Sequence, residues 1–351
     1  MHAFRSFRAL RLDTEPTDTG VDNDNEVDVS PELIQDEESS FYLYEMSGFP
    51  GTHDELRITG VFGILTLTKD NQHEQVVEEA ISDESELIHS HIHPHEQIRS
   101  DINTHTTISS SLATKGAGPI WAIADIDVID TINPMRIGPV ARTVDADKFS
   151  HRLYVLPQSA AKELVQDAVG NAELVLADGH HRVRAALDTL ATAPPETSID
   201  LLCFVCQAKD ISKVIKPIHR IFSVVSTKSI FSAIRDKFET TAQRNRDEQN
   251  QIELVCADDR LFVNPIKLIS QTLTAVEDTI LQYLPEKVEY SASNQDAIEA
   301  LQNSNIISMI CPPIPASEIL YSALKHQPLK PKSTLFYPKP IEWMILAEVQ
   351  S

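Results

Sequence analysis

The stretch Leu174-Val175-Leu176-Ala177-Asp178-Gly179-His180-His181-Arg182-Val183 decides how this chain is read. An apolar run delivers the backbone to Asp-Gly, and Val183, Ala186, Leu187 and Leu190 then recur at helical spacing. The pattern predicts a strand over 173–177, a tight turn, and a helix over 179–190. Asp178 is expected to cap the helix by accepting from its first amides. Gly179 lets a ligand approach closely. His180, His181 and Arg182 fall in the first turn, where unpaired N–H groups and the helix dipole favour an anion. Arginine adds bidentate oxyanion recognition. Two histidines and an arginine at the positive end of a helix repel one another once the imidazoles protonate. Capping alone does not account for that choice, whereas anion binding does.

Outward from this turn, further strands are expected over 41–46, 58–67, 119–124, 153–156, 199–206, 218–225, 306–310 and 343–349. Helices are expected over 158–169, with Ala161, Leu164, Val165 and Val169 on one face, and over 266–282, 294–302 and 316–324. The polar stretch 241–251 reads as a loop or insertion. Alternation of this kind makes a mixed α/β fold. Three regions follow. Residues 1–40 combine a strand-like start with a linker of disordered composition, since 13–40 hold eleven acids and no Lys or Arg. Residues 41–225 form a core lobe and 226–351 a C-terminal α/β lobe.

With 351 residues and 42 % hydrophobic content, the chain can bury a large core. No apolar run reaches the roughly 18–20 residues of a membrane span, and Met1-His2-Ala3-Phe4-Arg5 lacks a secretory apolar segment. A cytoplasmic protein with no membrane partner is expected. The formal charge of −22 argues against nucleic acid as a partner. It also makes each cluster of His, Arg and Lys informative, because an anionic ligand must be captured against a repulsive overall field. Cys203 and Cys206 form a C-x-x-C inside an apolar run, so they read, with Cys256 and Cys311, as core packing.

Other chemistry-bearing groups are few. His89, His91, His93 and His95 alternate, so a strand would put them on one face, with Glu96 adjacent. A metal site is one reading and solvated edge histidines the other. His219-Arg220 and Lys332-Ser333-Thr334 suit phosphate oxygens, although a basic strand end usually faces water. Asp22-Asn23-Asp24 opens like a calcium loop, but Val27 and Leu33 stand where glycine and a bidentate glutamate are needed. No Walker loop, G-x-G-x-x-G or G-x-S-x-G occurs.

Taken in order, these landmarks resemble the domain of unknown function 1015 family. The resemblance rests on the Phe4–Arg8 segment, HPHE ending at Glu96, PIWAI from Pro119, HRLYVL from His151, LADGHHR ending at Arg182, PIHR ending at Arg220 and PKSTLFYPK ending at Lys339. It implies a ParB/sulfiredoxin-like core with an additional α/β lobe. It also implies kinship with pyrophosphate-dependent free L-serine kinases. In that setting Glu96 would be the base that accepts the serine hydroxyl proton, and Asp178 would orient substrate or hold Mg²⁺. His180, with His181 and Arg182, would bind the transferred phosphoryl group. His95, His219, Arg220, Lys332, Ser333 and Thr334 would hold the rest of a donor, either pyrophosphate or a nucleotide. This sequence departs from the family at Val183, where a tyrosine is usual, and at Asn103–Thr106, where an Asp-Arg pair is expected. Three functions follow: a small-molecule phosphotransferase, a ParB-like phosphate- or nucleotide-binding regulatory module, and a metal-dependent phosphatase built on the histidine run.

Overall fold

The structure, a computed structural model, describes residues 3–12, 33–48, 56–69, 91–97, 118–133, 138–156, 158–245, 250–303 and 305–347. His89, Asp22–Glu26 and Asn103–Thr106 lie outside the described residues. The fold is mixed α/β. The chain divides into two compact units, one of residues 1–94, 98–213 and 338–351, the other of 95–97 and 214–337.

The first unit is built on a sheet from β1 (Ala3–Arg5), β4 (Tyr42–Ser47), β5 (Arg57–Thr68), β6 (Ile92–Pro94), β7 (Ile120–Ala124), β8 (Ala141–Val144), β9 (Ser150–Val155), β10 (Leu174–Asp178) and β11 (Ser198–Gln207). The order is β6-β10-β7-β11-β5-β4-β9-β8, with β1 also on β5. β6 runs parallel to β10 and β7 parallel to β11; the other pairs are antiparallel. Alternation along the strands makes two cores. On one face Leu65, Ile120, Leu176, Cys203 and Val205 meet helices α1 (Val128–Ile132), α2 (Gln158–Gly170) and α3 (His180–Thr192) through Ile129, Val165, Val169, Val183 and Ala186. On the other, Phe204 packs against Phe62, Tyr44 and Trp121, with ring centroids 5.1, 5.7 and 5.8 Å away. Such aromatic clusters stabilise beyond their buried area. All four cysteines are reduced and buried, and Cys206 accepts the Trp121 indole N–H. Leu164, expected on the buried face of α2, is 44 % exposed, because that face is covered by Ala161, Val165 and Val169.

Order begins before Phe41. β2 (Ala9–Leu12) is sandwiched between β3 (Leu33–Gln35) and the closing strand β20 (Ile345–Ala347). Asp36, from the acidic stretch, fixes this small sheet by accepting from Arg11 Nε (2.9 Å) and from the Tyr42 hydroxyl (2.5 Å). The expected strand over 343–349 starts instead as a 3-10 turn, Glu342–Met344.

The second unit holds an antiparallel sheet of order β14-β16-β15-β18-β13-β17: β13 (His219–Ser223), β14 (Thr240–Thr241), β15 (Ile252–Val255), β16 (Arg260–Val263), β17 (Lys287–Ser291) and β18 (Ile306–Ile310). Helices α4 (Thr227–Lys237), α5 (Ile269–Leu281), α6 (Asn294–Glu299) and α7 (Ala316–Leu324) belong to it. A two-stranded ladder of β12 (Ile215–Pro217) and β19 (Thr334–Phe336) completes the unit. No helix among the described residues is long and apolar enough to cross a membrane.

Gly60 in β5 lies beneath the Phe204 ring and beside the Val205 carbonyl. A Cβ there would come within 2.4 Å of the ring and 2.5 Å of the oxygen. Gly60→Ala is therefore expected to cost about 1–3 kcal/mol through overpacking, read as a lower denaturant midpoint with an unchanged slope.

Candidate anion site

β10 ends at Asp178, where its register on β7 shifts between Leu176 and Asp178. Gly179 then turns the chain with φ 89° and ψ 19° and serves as the N-cap of α3. The left-handed angle suits glycine, and a Cβ would sit 2.7 Å from Ile120 Cγ2. Asp178 makes no side-chain cap bond, contrary to the expectation from sequence. Its carboxylate is drawn to cations instead: Oδ1 accepts from Lys339 Nζ at 2.9 Å, and Oδ2 faces Arg182 Nη2 at 3.7 Å.

His180 and His181 lie half-buried in the first turn of α3. The Arg182 side chain is 24 % exposed, and its buried Nη1 has no hydrogen-bond partner among the described residues. Burial lowers the Arg182 pKa, while Asp178 and Glu342 pull it back. Glu342 packs over Gly118, where a Cβ would run into its carboxylate. The turn is thus a desolvated guanidinium at a helix N-terminus, flanked by a lysine and two carboxylates. Lys339 closes the FYPK motif of the sequence, whereas nothing in the sequence singles out Glu342.

The remaining residues form separate groups. In the second unit Glu96 Oε2 accepts from the Lys332 amide (2.9 Å), and Oε1 from the Thr334 amide (2.7 Å) and hydroxyl (2.9 Å). His95 Nε2 meets Thr334 Oγ1 at 2.7 Å. Ser333 donates to the Lys330 carbonyl, and Lys332 holds a left-handed φ of 63°. Burial alone would raise the Glu96 pKa. His95 and the Thr334 donors outweigh it and hold the carboxyl at about 2. His219 and Arg220 are each 1 % exposed. Arg220 donates to the Ile218 carbonyl (2.6 Å) and Cys311 Sγ (3.3 Å) and faces Glu277 at 3.4 Å. His219 Nδ1 accepts the Cys311 amide at 3.0 Å. These contacts lie inside the unit; Arg220 Nε, which faces Glu277, is buried without a hydrogen bond among the described residues.

In the first unit His91 and His93 converge on the Glu173 carboxylate at 2.9 and 2.6 Å. Among the described residues no three His, Cys, Asp or Glu side chains are grouped as metal ligands. Asp178 is a single carboxylate already shared by Lys339 and Arg182. That donor set does not fit a resident Mg²⁺, which seeks one or two uncommitted carboxylates plus phosphate oxygens.

The family described as "Protein of unknown function (DUF1015)" matches residues 26–287. The chain belongs to the DUF1015 family. Among solved structures, this DUF1015 protein is similar to a free serine kinase in complex with AMP at 14 % identity, over 73 % of this chain and 88 % of that one, with TM-score 0.39. SbnI from Staphylococcus aureus, truncated at its C-terminus, matches at 12 % identity over 72 % and 82 %, with TM-score 0.40. A conserved hypothetical protein from Pyrococcus furiosus matches at 12 % over 74 % and 91 %, with TM-score 0.40. No curated protein matches.

The Glu96 clasp makes a measurable prediction. Its carboxyl sits at about 2 when folded against an ordinary 4.5. A depressed carboxyl stabilises the fold fully above the ordinary value, and the gain is lost as pH falls toward the folded value. Glu96→Gln should cost about 1–3 kcal/mol at neutral pH and flatten the loss of stability between pH about 4.5 and about 2, as read by denaturant titration across pH.

Proposed function

We propose that the Asp178–Arg182 turn with Lys339 binds the phosphoryl group of a small phosphorylated molecule, and that the protein is a small-molecule phosphotransferase. The observation that carries this is Arg182: a guanidinium at the start of α3 whose buried Nη1 has no partner among the described residues has hydrogen-bonding capacity to offer an incoming acceptor. Phosphoryl transfer asks a protein mainly for positioning and charge neutralisation. Arg182 and Lys339 supply both. Asp178 is suited to accept a hydrogen bond from the attacking hydroxyl. The hydroxyl oxygen forms a bond to phosphorus, its proton passes to the Asp178 carboxylate, and the bond to the leaving group breaks, releasing phosphate from pyrophosphate or the shortened nucleotide from a nucleotide donor. The motif resemblance suggests L-serine as acceptor and pyrophosphate or a nucleotide as donor.

Glu96 favours a second reading. With three donors on its oxygens and a pKa of about 2, it is a weak general base in this arrangement. Its state is consistent with a module that binds a phosphate or nucleotide without turnover.

One experiment separates the two. Purified protein is incubated with L-serine, Mg²⁺ and, in turn, pyrophosphate, ATP and ADP, and products are read by mass spectrometry and phosphorus NMR. Phosphoserine from one donor establishes the phosphotransferase. No phosphoserine from any donor, with stabilisation by inorganic phosphate or ADP, establishes the binding module. Arg182→Gln should weaken binding of that ligand about 10- to 100-fold, the worth of one charged hydrogen bond. Unchanged affinity would remove Arg182 from the site.

A further inference from the structure

The first unit contains a buried polar chain that the anion site does not use directly. It begins in the turn between β8 and β9. Asp145 is fixed there because its Oδ1 accepts the Phe149 amide at 2.8 Å and its backbone pairs with Phe149 and Lys148. Asp145 Oδ2 meets His151 Nε2 at 3.2 Å. His151, 0 % exposed on β9, presents Nδ1 to the Tyr44 hydroxyl of β4 at 2.9 Å. The Tyr44 oxygen in turn accepts the Ile341 amide at 2.9 Å. Ile341 stands two residues after Lys339, which reaches Asp178, and one before Glu342, which acts on Arg182.

Hydrogen-bond accounting fixes the direction of this chain. Tyr44 has one hydroxyl proton. Its oxygen accepts from Ile341, so the proton goes to His151 Nδ1. The ring is then neutral, with its N–H on Nε2, and donates to Asp145. Among the described residues the titratable groups facing the imidazole are Asp145 and Tyr44. Burial disfavours the imidazolium and lowers the His151 pKa against the pull of Asp145. Burial likewise raises the Tyr44 hydroxyl, so it stays protonated. Packing alone does not require a tyrosine at position 44, because a phenylalanine would fill the same space between Phe62 and Phe204. The hydroxyl has a separate task.

We propose that Asp145, His151 and Tyr44 form a positioning relay that holds the strap Pro338–Glu342, and thereby seats Lys339 on Asp178 and Glu342 near Arg182. The relay works through the strap and touches no ligand. It rests on the reading of this turn as the functional site only for its consequence; the contacts themselves exist without a ligand. Protonation of His151 would turn Nδ1 into a donor aimed at the Tyr44 oxygen. The tyrosine proton would lose its acceptor, and the Ile341 bond would weaken. The strap should therefore loosen as pH falls below the ordinary histidine value of 6.5.

The test uses the full chain and needs no ligand. Two quantities are measured: the hydrogen-exchange rate of the Ile341 amide, corrected for intrinsic exchange, and the rate at which an amine-acylating reagent labels Lys339. Tyr44→Phe, checked for native circular dichroism, should speed Ile341 exchange about tenfold or more and raise Lys339 labelling several-fold. Asp145→Asn can keep the Phe149 bond through its one amide oxygen only by turning its NH2 group toward Nε2, which moves the ring N–H to Nδ1; it should therefore follow Tyr44→Phe, as should Asp145→Ala. A purely structural role of the turn would leave Asp145→Asn near the unmodified protein. In the unmodified protein, Ile341 protection should fall on acidification through the histidine range, which keeps the test available if Tyr44→Phe does not fold. Unchanged exchange and labelling in folded Tyr44→Phe, or an Asp145→Asn variant that stays at the values of the unmodified protein, would overturn the relay. Failure of inorganic phosphate to bind the unmodified protein would sink the functional reading and leave this result untouched.

Discussion

Everything at the candidate site depends on one backbone angle. Gly179 leaves β10 and enters α3 in a single left-handed residue, φ 89°, packed against Ile120. An L-residue there would carry about 1–2 kcal/mol of conformational cost and a collision with a β-branched side chain on the neighbouring strand. Because the reversal is that tight, α3 starts at once, and its N-cap Gly179 offers no side chain to cap it. Arg182 then stands one helical turn from Asp178, at the i,i+4 spacing that lets two side chains share one face. The bulged register of Asp178 on β7 is the sheet's side of the same adjustment.

The acidity of the chain gives that geometry its meaning. Several cations are paired with neighbouring carboxylates: Arg5 with Asp200, Lys209 with Asp127 and Asp130, Arg235 with Asp259, Lys287 with Glu289, Lys330 with Asp278. Such surface pairs contribute little to stability, and they leave little positive potential to draw an anion. Arg182 differs in being desolvated, with one nitrogen left unsatisfied. Desolvation is a standing cost, and an incoming oxyanion recovers it. Selectivity for an anion at this point therefore does not need a favourable net charge. It needs one guanidinium that water cannot fully solvate.

How far the sequence revealed this follows the range of each interaction. The strand, turn and helix around Gly179 were legible because local pattern and turn chemistry agree within ten residues. The buried run of β11 was legible for the same reason. Hairpin β15–β16 carries no Asn-Gly or Gly-Gly signal between its strands, and β17 is an edge strand whose mixed exposure erases the period of two. Asp178 looked like a cap because the cap rule considers only neighbouring amides. Its partner Lys339 lies 161 residues away and wins by charge. The same distance effect hid the Tyr44–Ile341 bond, which joins residues 297 apart.

Glu96 shows where residue type and residue state part company. A carboxylate in an HPHE segment invites the role of base, yet a carboxyl at about 2 is some five pH units below neutrality, and each unit costs about 1.4 kcal/mol of proton affinity. Burial opposes that deficit, and His95 with the Thr334 hydroxyl and amide creates it; the Lys332 amide, held at a left-handed angle, donates to the same carboxylate. The clasp and the angle support each other: the carboxylate repays the strain of the turn, and the turn's amides keep the carboxylate ionised. The donors that make Glu96 a poor base are the kind that would cradle a phosphate oxygen.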